Sequence, residues 1–161
     1  MSDAPTLRTR PATAADIPAL VELINAAFGI EEFLEGTRTD PDRLAATMAK
    51  GELLVAEEAG GELLASVYLE PRGERGYLGM LAVRPERQGQ GLASAVIRAA
   101  EDRLRSLGCT VVEISVLSMR PELLPLYRRY GYVETGTEPF AFSRPLKPGV
   151  ECHCIVMSKP L

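Results

Sequence analysis

Apolar residues recur along the chain with two different periods, which separate predicted helices from predicted strands. The first helix is predicted where apolar residues are spaced by three and four, so that they share one buried face. Its apolar residues are Ile17, Leu20, Val21, Ile24 and Phe28. Thr13 and Asp16 are placed to cap its start. Asp40 followed by Pro41 begins a second helix, which we expect to end near residue 51.

Shorter stretches rich in apolar and β-branched residues predict strands. Seven are expected, at residues 7–10, 53–58, 63–70, 77–83, 111–116, 132–137 and 150–158. Gly60 and Gly61 join the second and third strands as a hairpin. The fourth strand is almost wholly apolar, as expected for a strand covered on both faces. A helix over residues 89–107 connects it to the fifth, so these two strands form a parallel unit with a right-handed crossover.

One further helix, over residues 121–130, precedes the last two strands. Because only one strand–helix–strand crossover is present, we predict an α/β fold with a mixed sheet and helices on both faces, and not a doubly wound sheet. At 161 residues the chain has the size of one domain, and no repeat or linker divides it. We therefore predict a single domain over residues 1–161.

Composition and charge narrow the class of protein. Charged residues make up 25% and hydrophobic residues 46% of the chain, which is typical of a folded globular protein. The net charge is -4 and the 18 basic residues are scattered, which argues against nucleic acid as a partner. No apolar run approaches the ~20 residues of a membrane helix, and no signal sequence is recognised. With an odd number of cysteines, these features predict a cytoplasmic protein that does not bind membranes.

The sharpest candidate for chemistry is the turn between the fourth strand and its helix, residues 88–93, which read QGQGLA. Free amides of a first helical turn, next to glycines without Cβ atoms, suit a phosphate or pyrophosphate. A P-loop is excluded because Leu92 stands where its lysine is required. A dinucleotide site is an alternative, with Glu113 about 20 residues further on, but Ser94 replaces its third glycine. A purely structural turn is the other alternative.

Two separate motifs resemble the GNAT superfamily of acyl-CoA N-acyltransferases. Residues 88–93 look like the family's (Gln/Arg)-x-x-Gly-x-(Gly/Ala) turn, and the preceding residues 81–83 (LAV) also match. Residues 126–132 (LYRRYGY) resemble the family's Leu-Tyr-x-x-x-Gly-Phe segment. The resemblance implies a GNAT-like fold, with a mostly antiparallel sheet of about seven strands and a V-shaped splay between the fourth and fifth.

The resemblance also implies where acetyl-CoA binds as acyl donor. The main chain of the fourth strand pairs with pantetheine, amides of the turn hold the pyrophosphate, and Arg84 or Arg87 adds charge outside. The implied cofactor-binding residues are Leu81, Ala82, Val83, Gln88, Gly89, Gln90, Gly91, Leu92, Ala93 and Ser94. The splay leaves a slot for the thioester and room for the acceptor amine.

Acyl transfer to an amine needs the amine neutral and an acid for the departing thiolate. Tyr127 matches the family position whose hydroxyl approaches the CoA sulfur, so it is the candidate acid, with packing on the sheet as the alternative. Many relatives carry a glutamate near the position of Gly79, where this chain has none. Glu113 is the candidate base, because a carboxylate within an apolar strand needs a reason. An ion pair with an arginine is the alternative.

The acceptor site is expected on the loop after the first helix. Phe28, Glu31, Glu32 and Phe33 lie where relatives place acceptor-binding residues, and carboxylates there suit a cationic amine. A solvated surface is the alternative. Phe140 and Phe142 are candidates for the opposite wall of the same pocket.

No metal cofactor is predicted, although residues 152–154 read Cys-His-Cys. Alternate residues of a strand point to opposite faces, so these three side chains cannot converge on one ion.

The leading hypothesis is direct transfer of an acetyl group from acetyl-CoA to a primary amine of a small molecule or peptide, within a ternary complex. A non-catalytic acyl-CoA sensor or interaction domain is the alternative, because the glutamate near Gly79 is missing. A dinucleotide-dependent oxidoreductase is the third hypothesis. Pairing of two copies into a homodimer through the exposed strand near the C-terminus is left open.

Overall fold

The computed structural model describes residues 7–140 and 145–161, so Phe142 lies outside the described residues. The strands are β1 (Arg8–Pro11), β2 (Glu52–Glu57), β3 (Leu63–Arg72), β4 (Arg75–Val83), β5 (Val111–Leu117), β6 (Val133–Pro139) and β7 (His153–Pro160). The helices are α1 (Ile17–Phe28), α2 (Pro41–Lys50), α3 (Leu92–Ser106) and α4 (Leu123–Arg129), with short 3-10 turns at Ala14–Asp16 and Pro85–Arg87. None of the described helices is long and apolar enough to cross a bilayer.

The seven described strands form a single sheet in the order β1-β2-β3-β4-β5-β7-β6. Neighbouring strands run antiparallel, except that β4 and β5 pair in parallel through the α3 crossover. The predicted α/β class, the mixed and mostly antiparallel sheet, and its single parallel unit are therefore confirmed.

Two apolar clusters hold helices against the sheet. One joins α1 and α2 to the first half of the sheet, with Leu20, Leu23, Ile24 and Leu44 completely buried. The other joins α3 and α4 to the strands from β2 to β7. Burial of each such leucine contributes about 1.5–3 kcal/mol relative to an exposed position, so these faces fix where the helices lie.

Local capping fixes the helix starts where the sequence predicts them. The Asp40 carboxylate accepts a hydrogen bond from the Arg43 backbone N–H at 2.8 Å, one turn into α2. The Asp16 carboxylate accepts from the Thr13 backbone N–H at 2.7 Å, at the turn that leads into α1. Both bonds satisfy amides that a helix end would otherwise leave without an acceptor.

The hairpin of β3 and β4 is longer than the sequence predicts. The stretch 71–76, expected to be a loop, continues both strands, and Pro71 lies opposite Gly76. The apolar pattern stops at this point because the ends of the two strands are exposed, and backbone pairing alone continues the ladder to Arg72 and Arg75.

A buried polar cluster ties α3 to the C-terminal strands. Glu101 is only 5% exposed, and its carboxylate accepts a hydrogen bond from the Tyr132 hydroxyl at 2.8 Å. The Lys159 ammonium lies 3.1 Å from both Glu101 carboxylate oxygens. A buried carboxylate is costly without partners, and these two contacts supply partners for Glu101.

The pairing of β4 with β5 stops halfway along β4. The parallel register covers only Arg75–Leu78 against Val111–Ile114, while β4 runs on to Val83 and β5 to Leu117. At the point of separation Met80 has a positive φ of 51°, and two residues of β4 oppose a single residue of β3. A bulge of this kind bends its strand away from its neighbour. The V-shaped splay predicted between the fourth and fifth strands is thereby confirmed.

Candidate active site

A cavity of about 740 Å³ fills the splay between β4 and β5. Its walls come from the second half of β4, the start of α3, the second half of β5, α4, and the loop between α1 and α2. From Gly79 onward the β4 backbone edge that faces β5 is unpaired. The cavity therefore combines apolar side chains with backbone groups that are free to bind a ligand.

One end of the cavity is the glycine turn before α3. Gly89 and Gly91 have φ of 81° and 77°, the left-handed conformation that glycine adopts without strain. The N–H groups in the first turn of a helix have no intrahelical acceptor, and at the start of α3 no side chain caps them either. Nothing lies within 4 Å of where a Cβ would stand on either glycine. The turn thus presents open amides at the positive end of a 15-residue helix.

The cavity wall is basic although the whole chain carries a net charge of -4. Among the described residues that line it, the charged ones are Arg38, Arg98, Arg120, Arg129 and Glu31. A wall with this excess of arginine favours an anionic ligand.

The two arginines expected outside the turn are engaged by the chain itself. The Arg84 guanidinium donates to the Leu63 carbonyl oxygen at 2.9 Å, and the Arg87 guanidinium lies 2.5 Å from the Glu58 carboxylate. Neither side chain lines the cavity.

Most residues predicted to bind the cofactor lie together on the cavity wall. These are Leu81, Val83, Gln88, Gly89, Gly91, Leu92, Ala93 and Ser94. Ala82 points away and is buried in the cluster with α1, as alternation along β4 requires. The Gln90 side chain instead accepts a hydrogen bond from Arg87 at 2.9 Å.

Tyr127 projects from α4 into the same cavity. Its ring meets Tyr130 and Tyr132 edge-on, with centroids 6.4 and 5.9 Å away. Within the part of the chain that the structure describes, its hydroxyl has no hydrogen-bond partner, and it is not sealed from the cavity. Burial of the ring raises the pKa of Tyr127 above its usual range, so the hydroxyl keeps its proton at neutral pH.

The structure does not bring Glu113 to Tyr127. Glu113 lies in the paired half of β5, opposite Tyr77, and its carboxylate forms an ion pair with Arg75. It lines a separate shallow depression on the sheet beside Thr135 and Ser158. This arrangement corresponds to the ion-pair alternative of the sequence, because Glu113 lies in the half of β5 that is paired with β4, before the splay opens, and Arg75 is its partner there.

Gly79 has no space for a side chain. An ideal Cβ built on it would stand 2.7 Å from the Tyr77 hydroxyl oxygen, which lies two residues earlier on the same face of β4. Tyr77 itself lines the cavity and was not predicted as a site residue. The signal that could have found it is the pairing of a tyrosine with a glycine at i and i+2 in a strand.

Two of the four residues predicted for the acceptor site line the cavity. Phe28 and Glu31 do so, whereas Glu32 is exposed to solvent and Phe33 is not among the lining residues. The guanidinium of Arg38 lies 5.3 Å from the centre of the Phe28 ring.

Glu31 is buried, with 3% exposure, and its carboxylate accepts a hydrogen bond from Arg120 at 2.9 Å. Arg120 also lies 2.5 Å from the Glu122 carboxylate. The contact spans 89 positions of sequence, and nothing in the local pattern indicates it. Arg120 is thus a site residue that sequence reasoning missed.

The Cys-His-Cys segment does not gather around one point. Cys154 is buried at 1% exposure, while His153 is exposed on the other side of β7. Over residues 7–140 and 145–161 no three His, Cys, Asp or Glu side chains form a group able to hold a metal ion.

Nearly the whole chain is similar to solved acetyltransferase structures. The ribosomal-protein-S18-alanine N-acetyltransferase from Escherichia coli superposes with a TM-score of 0.76 at 17% identity, covering 96% of this chain and 94% of that one. A ribosomal-protein-alanine N-acetyltransferase from Brucella melitensis gives 0.77 at 21% identity, with 96% and 99% covered. The yncA protein from Salmonella typhimurium, solved with its cofactor acetyl-CoA, gives 0.75 at 24% identity, with 96% and 94% covered. At these identities the likeness concerns the fold.

Family membership rests on the sequence itself. The model of the Acetyltransferase (GNAT) family matches residues 17–132, from the first residue of α1 to the turn after α4. This span contains the splay, the glycine turn and Tyr127. The chain therefore belongs to the GNAT family of acetyltransferases.

Proposed function

We propose that the protein transfers an acetyl group from acetyl-CoA to a primary amine of a small molecule or peptide, directly and within a ternary complex. The observation that carries the proposal is the cavity in the splay. It joins three features in one space: the open amides before α3, the unpaired edge of β4, and the Tyr127 hydroxyl.

The donor end of the cavity fits the chemistry of coenzyme A. The amides of residues 89–94 face open space and suit a pyrophosphate, and Arg98 and Arg129 add positive charge on the wall. The unpaired edge of β4 offers N–H and C=O groups to the amides of pantetheine, as an added strand would. Acetyl-CoA bound to the yncA protein, which shares this fold, supports the same donor here.

The reacting centre lies where β4 and β5 separate. A thioester held there meets backbone N–H groups of β4 that can stabilise the carbonyl oxygen as it gains charge. When the amine nitrogen forms its bond to the carbonyl carbon, it gives up one proton to solvent, the C–S bond breaks, and the thiolate takes the Tyr127 proton. Tyr127 then regains a proton from solvent. The raised pKa of Tyr127 suits this role because the hydroxyl is protonated before each cycle.

The acceptor enters from the side of the α1–α2 loop. Phe28, Leu34 and Met80 give this end an apolar wall, and the Glu31–Arg120 pair closes it. The two alanine N-acetyltransferases with the same fold support an amine acceptor. The Glu31 carboxylate is paired with Arg120, so we propose that it shapes the acceptor end of the cavity and does not bind a cationic amine directly.

A non-catalytic acyl-CoA sensor remains the second candidate. It is favoured by one observation: no carboxylate of the described residues faces the cavity except Glu31, which is already in an ion pair. A sensor would bind acetyl-CoA and release no free CoA in the presence of any amine.

The test measures CoA release from acetyl-CoA with a panel of primary amines, comprising amino acids, amino-acid amides, short peptides and diamines. We expect turnover with at least one class, and a fall in kcat on the order of 10² or more for Tyr127→Phe. Acetyl-CoA binding, measured by calorimetry, should change little. Tyr68→Phe is the matched control, because the Tyr68 hydroxyl is bonded to Glu70 at 2.6 Å outside the cavity. Binding of acetyl-CoA without turnover would favour the sensor. An undiminished kcat for Tyr127→Phe would show that Tyr127 is not the acid that protonates the thiolate.

A further inference from the structure

The Tyr77 hydroxyl occupies the place in the splay that a side chain at Gly79 would take. The built Cβ of Gly79 lies 2.7 Å from the Tyr77 hydroxyl oxygen and 3.0 Å from the ring carbon that carries it. Gly79 is the first residue of β4 beyond the last pair with β5. The hydroxyl therefore stands at the apex of the splay, where the donor and acceptor ends of the cavity meet.

The hydroxyl of Tyr77 is available to a ligand. Tyr77 lines the cavity, and in the described ranges no group donates a hydrogen bond to its hydroxyl or accepts one from it. The ring is held from behind, by Tyr68 edge-on at 6.4 Å and by the Arg72 guanidinium 4.6 Å from its centre. A polar group fixed in position and open on one side is what a reacting amine requires of a proton acceptor.

The remaining candidates for that role are occupied or distant. Glu113 is paired with Arg75 on another part of the sheet, and Glu31 is paired with Arg120. His153, which is the only histidine in the chain, is exposed on β7 and does not line the cavity. The tyrosines among the described lining residues are Tyr77, Tyr127 and Tyr130, and of these Tyr77 is the one whose hydroxyl lies against Gly79 at the apex.

We propose that Tyr77 is a catalytic residue that takes the amine proton, while Tyr127 supplies the proton to sulfur. This inference rests on the proposed function. The neutral amine donates an N–H hydrogen bond to the Tyr77 oxygen. As the C–N bond forms and the C–S bond breaks, that proton moves to Tyr77 and the Tyr77 hydroxyl proton moves to a solvent water. The thiolate takes its proton from Tyr127, which solvent reprotonates, so the reaction yields an amide and free thiol with no net change in protons.

A relay fits Tyr77 better than a permanently ionised base does. Burial raises the pKa of Tyr77 above its usual range, so its resting form at neutral pH is the neutral hydroxyl. A neutral hydroxyl has one donor and two acceptor positions, and it can accept one proton while it gives up another. The alternative is that Tyr77 only fills space beside Gly79.

The test compares Tyr77→Phe with wild type and with Ser106→Ala, using the best amine of the panel. Ser106→Ala removes an exposed hydroxyl at the end of α3, outside the cavity. We expect kcat to fall on the order of 10² for Tyr77→Phe, with the KM for acetyl-CoA and the thermal midpoint unchanged. The solvent deuterium isotope effect on kcat should be clearly above 1 in wild type and smaller in Tyr77→Phe, because a proton transfer has been removed. Ser106→Ala should keep the wild-type rate and isotope effect.

A second variant tests the same idea with the hydroxyl retained. Gly79→Ala places a methyl group 2.7 Å from the Tyr77 oxygen and must displace it. We expect Gly79→Ala to lower kcat about tenfold or more in wild type and to add little in the Tyr77→Phe background, since coupled residues are non-additive.

The outcomes separate the two levels of the proposal. If wild type turns over an amine and Tyr77→Phe matches it in kcat and isotope effect, the role of Tyr77 is overturned while acetyl transfer stands. If Tyr77→Phe loses acetyl-CoA binding or stability in proportion to its rate, the space-filling alternative holds and the relay is overturned. If wild type binds acetyl-CoA and acetylates no amine, the proposed function fails and the relay fails with it.

Discussion

The glycines at the two ends of α3 share a backbone conformation and differ in their surroundings. Gly91 precedes the helix with φ of 77°, and Gly108 follows it with φ of 92°. Nothing of the protein lies within 4 Å of a Cβ on either one. Gly91 lines the splay cavity, whereas Gly108 only ends the helix. The same substitution at both positions therefore separates backbone strain from ligand contact.

We predict that Gly91→Ala and Gly108→Ala each lower the free energy of unfolding by about 1 kcal/mol, because alanine is disfavoured at positive φ. Only Gly91→Ala should weaken acetyl-CoA binding, by tenfold or more, since its methyl group enters the space of the bound pyrophosphate. Urea unfolding and calorimetric titration measure the two effects. Equal acetyl-CoA affinity in the two variants would place the diphosphate elsewhere.

At the scale of single residues, the sequence indicates backbone features more directly than it indicates where side chains lie. Gly89 and Gly91 of the turn have positive φ and lie on the cavity wall, and a positive φ is a local property that glycine indicates by itself. Glu113 lies off the cavity because the face on which a strand residue lies depends on the strand's neighbours, and here the neighbour is Arg75. Tyr77 was overlooked because its role depends on the gap left by Gly79, which only appears in three dimensions.

At the scale of elements, a single ion pair joins the α1–α2 loop to the segment before α4. The side chains of Glu31 and Arg120 are 4% and 16% exposed, and Arg120 stands one turn before the helix that carries Tyr127. The pair therefore couples the width of the acceptor end to the position of the proposed acid. Pairs so far from solvent depend on both partners, because removal of one leaves the other buried and unpaired.

A double-mutant cycle with Glu31→Gln and Arg120→Gln tests this coupling. We predict an interaction energy of about 1–3 kcal/mol in urea unfolding, and a raised KM for the amine with little change in acetyl-CoA binding. The control is the exposed pair Asp102–Arg105 on α3, whose side chains are 75% and 52% exposed. Its interaction energy should lie below about 0.5 kcal/mol. Additive effects for Glu31 and Arg120 would show that the two act separately.

The local sequence pattern predicts where the helices and strands lie, but it does not predict how long each one is. All seven strands lie where alternation or apolar runs predict them, yet the β3–β4 hairpin extends through the expected loop 71–76. Side-chain pattern stops where burial stops, while backbone hydrogen bonding continues into solvent. The bounds of β7 are shifted instead, since the strand covers His153–Pro160 where residues 150–158 were predicted.

At the scale of the whole molecule, one arginine fastens the N-terminal strand to the rest of the fold. The Arg10 guanidinium contacts the Asp16 carboxylate at 2.8 Å and the Glu57 carboxylate at 3.1 Å, which links β1 to the start of α1 and to β2. The hydrogen bond from Arg10, with the backbone N–H of Thr13 added, lowers the pKa of Asp16 to about 2.

This shift makes global stability depend on pH in a defined window. Because the folded pKa lies below the value of 3.8 for a free carboxyl, the contribution is fully present above pH 4 and is lost as the pH falls through about 2. We predict that Asp16→Asn lowers the free energy of unfolding by about 1–2 kcal/mol at pH 7, allowing for solvent screening, and that the difference shrinks between pH 4 and pH 2. Urea unfolding across this range measures it, with Asp102→Asn as an exposed control. A difference that stays constant with pH would mean that the Asp16 charge is not responsible.

Several properties of the whole molecule stay predictions. The β6 strand forms one edge of the sheet and all seven of its residues are exposed, which leaves pairing of two copies through it as a proposal for sedimentation analysis. A cytoplasmic location and the absence of nucleic-acid partners are expectations of the same kind.

The sequence by itself determined the class of sheet, the order of its elements and the turn at residues 88–93. These depend on periodicity and on backbone conformation, which are set by residues close together in the chain. Only the tertiary structure decided the chemistry of the splay: that Glu113 pairs with Arg75 outside the cavity, that Tyr77 fills the place beside Gly79, and that Arg120 meets Glu31 across 89 positions. The physical reason is that charge pairing and cavity shape are properties of distant segments in contact. The local sequence pattern does not indicate which of many possible partners a buried side chain will contact.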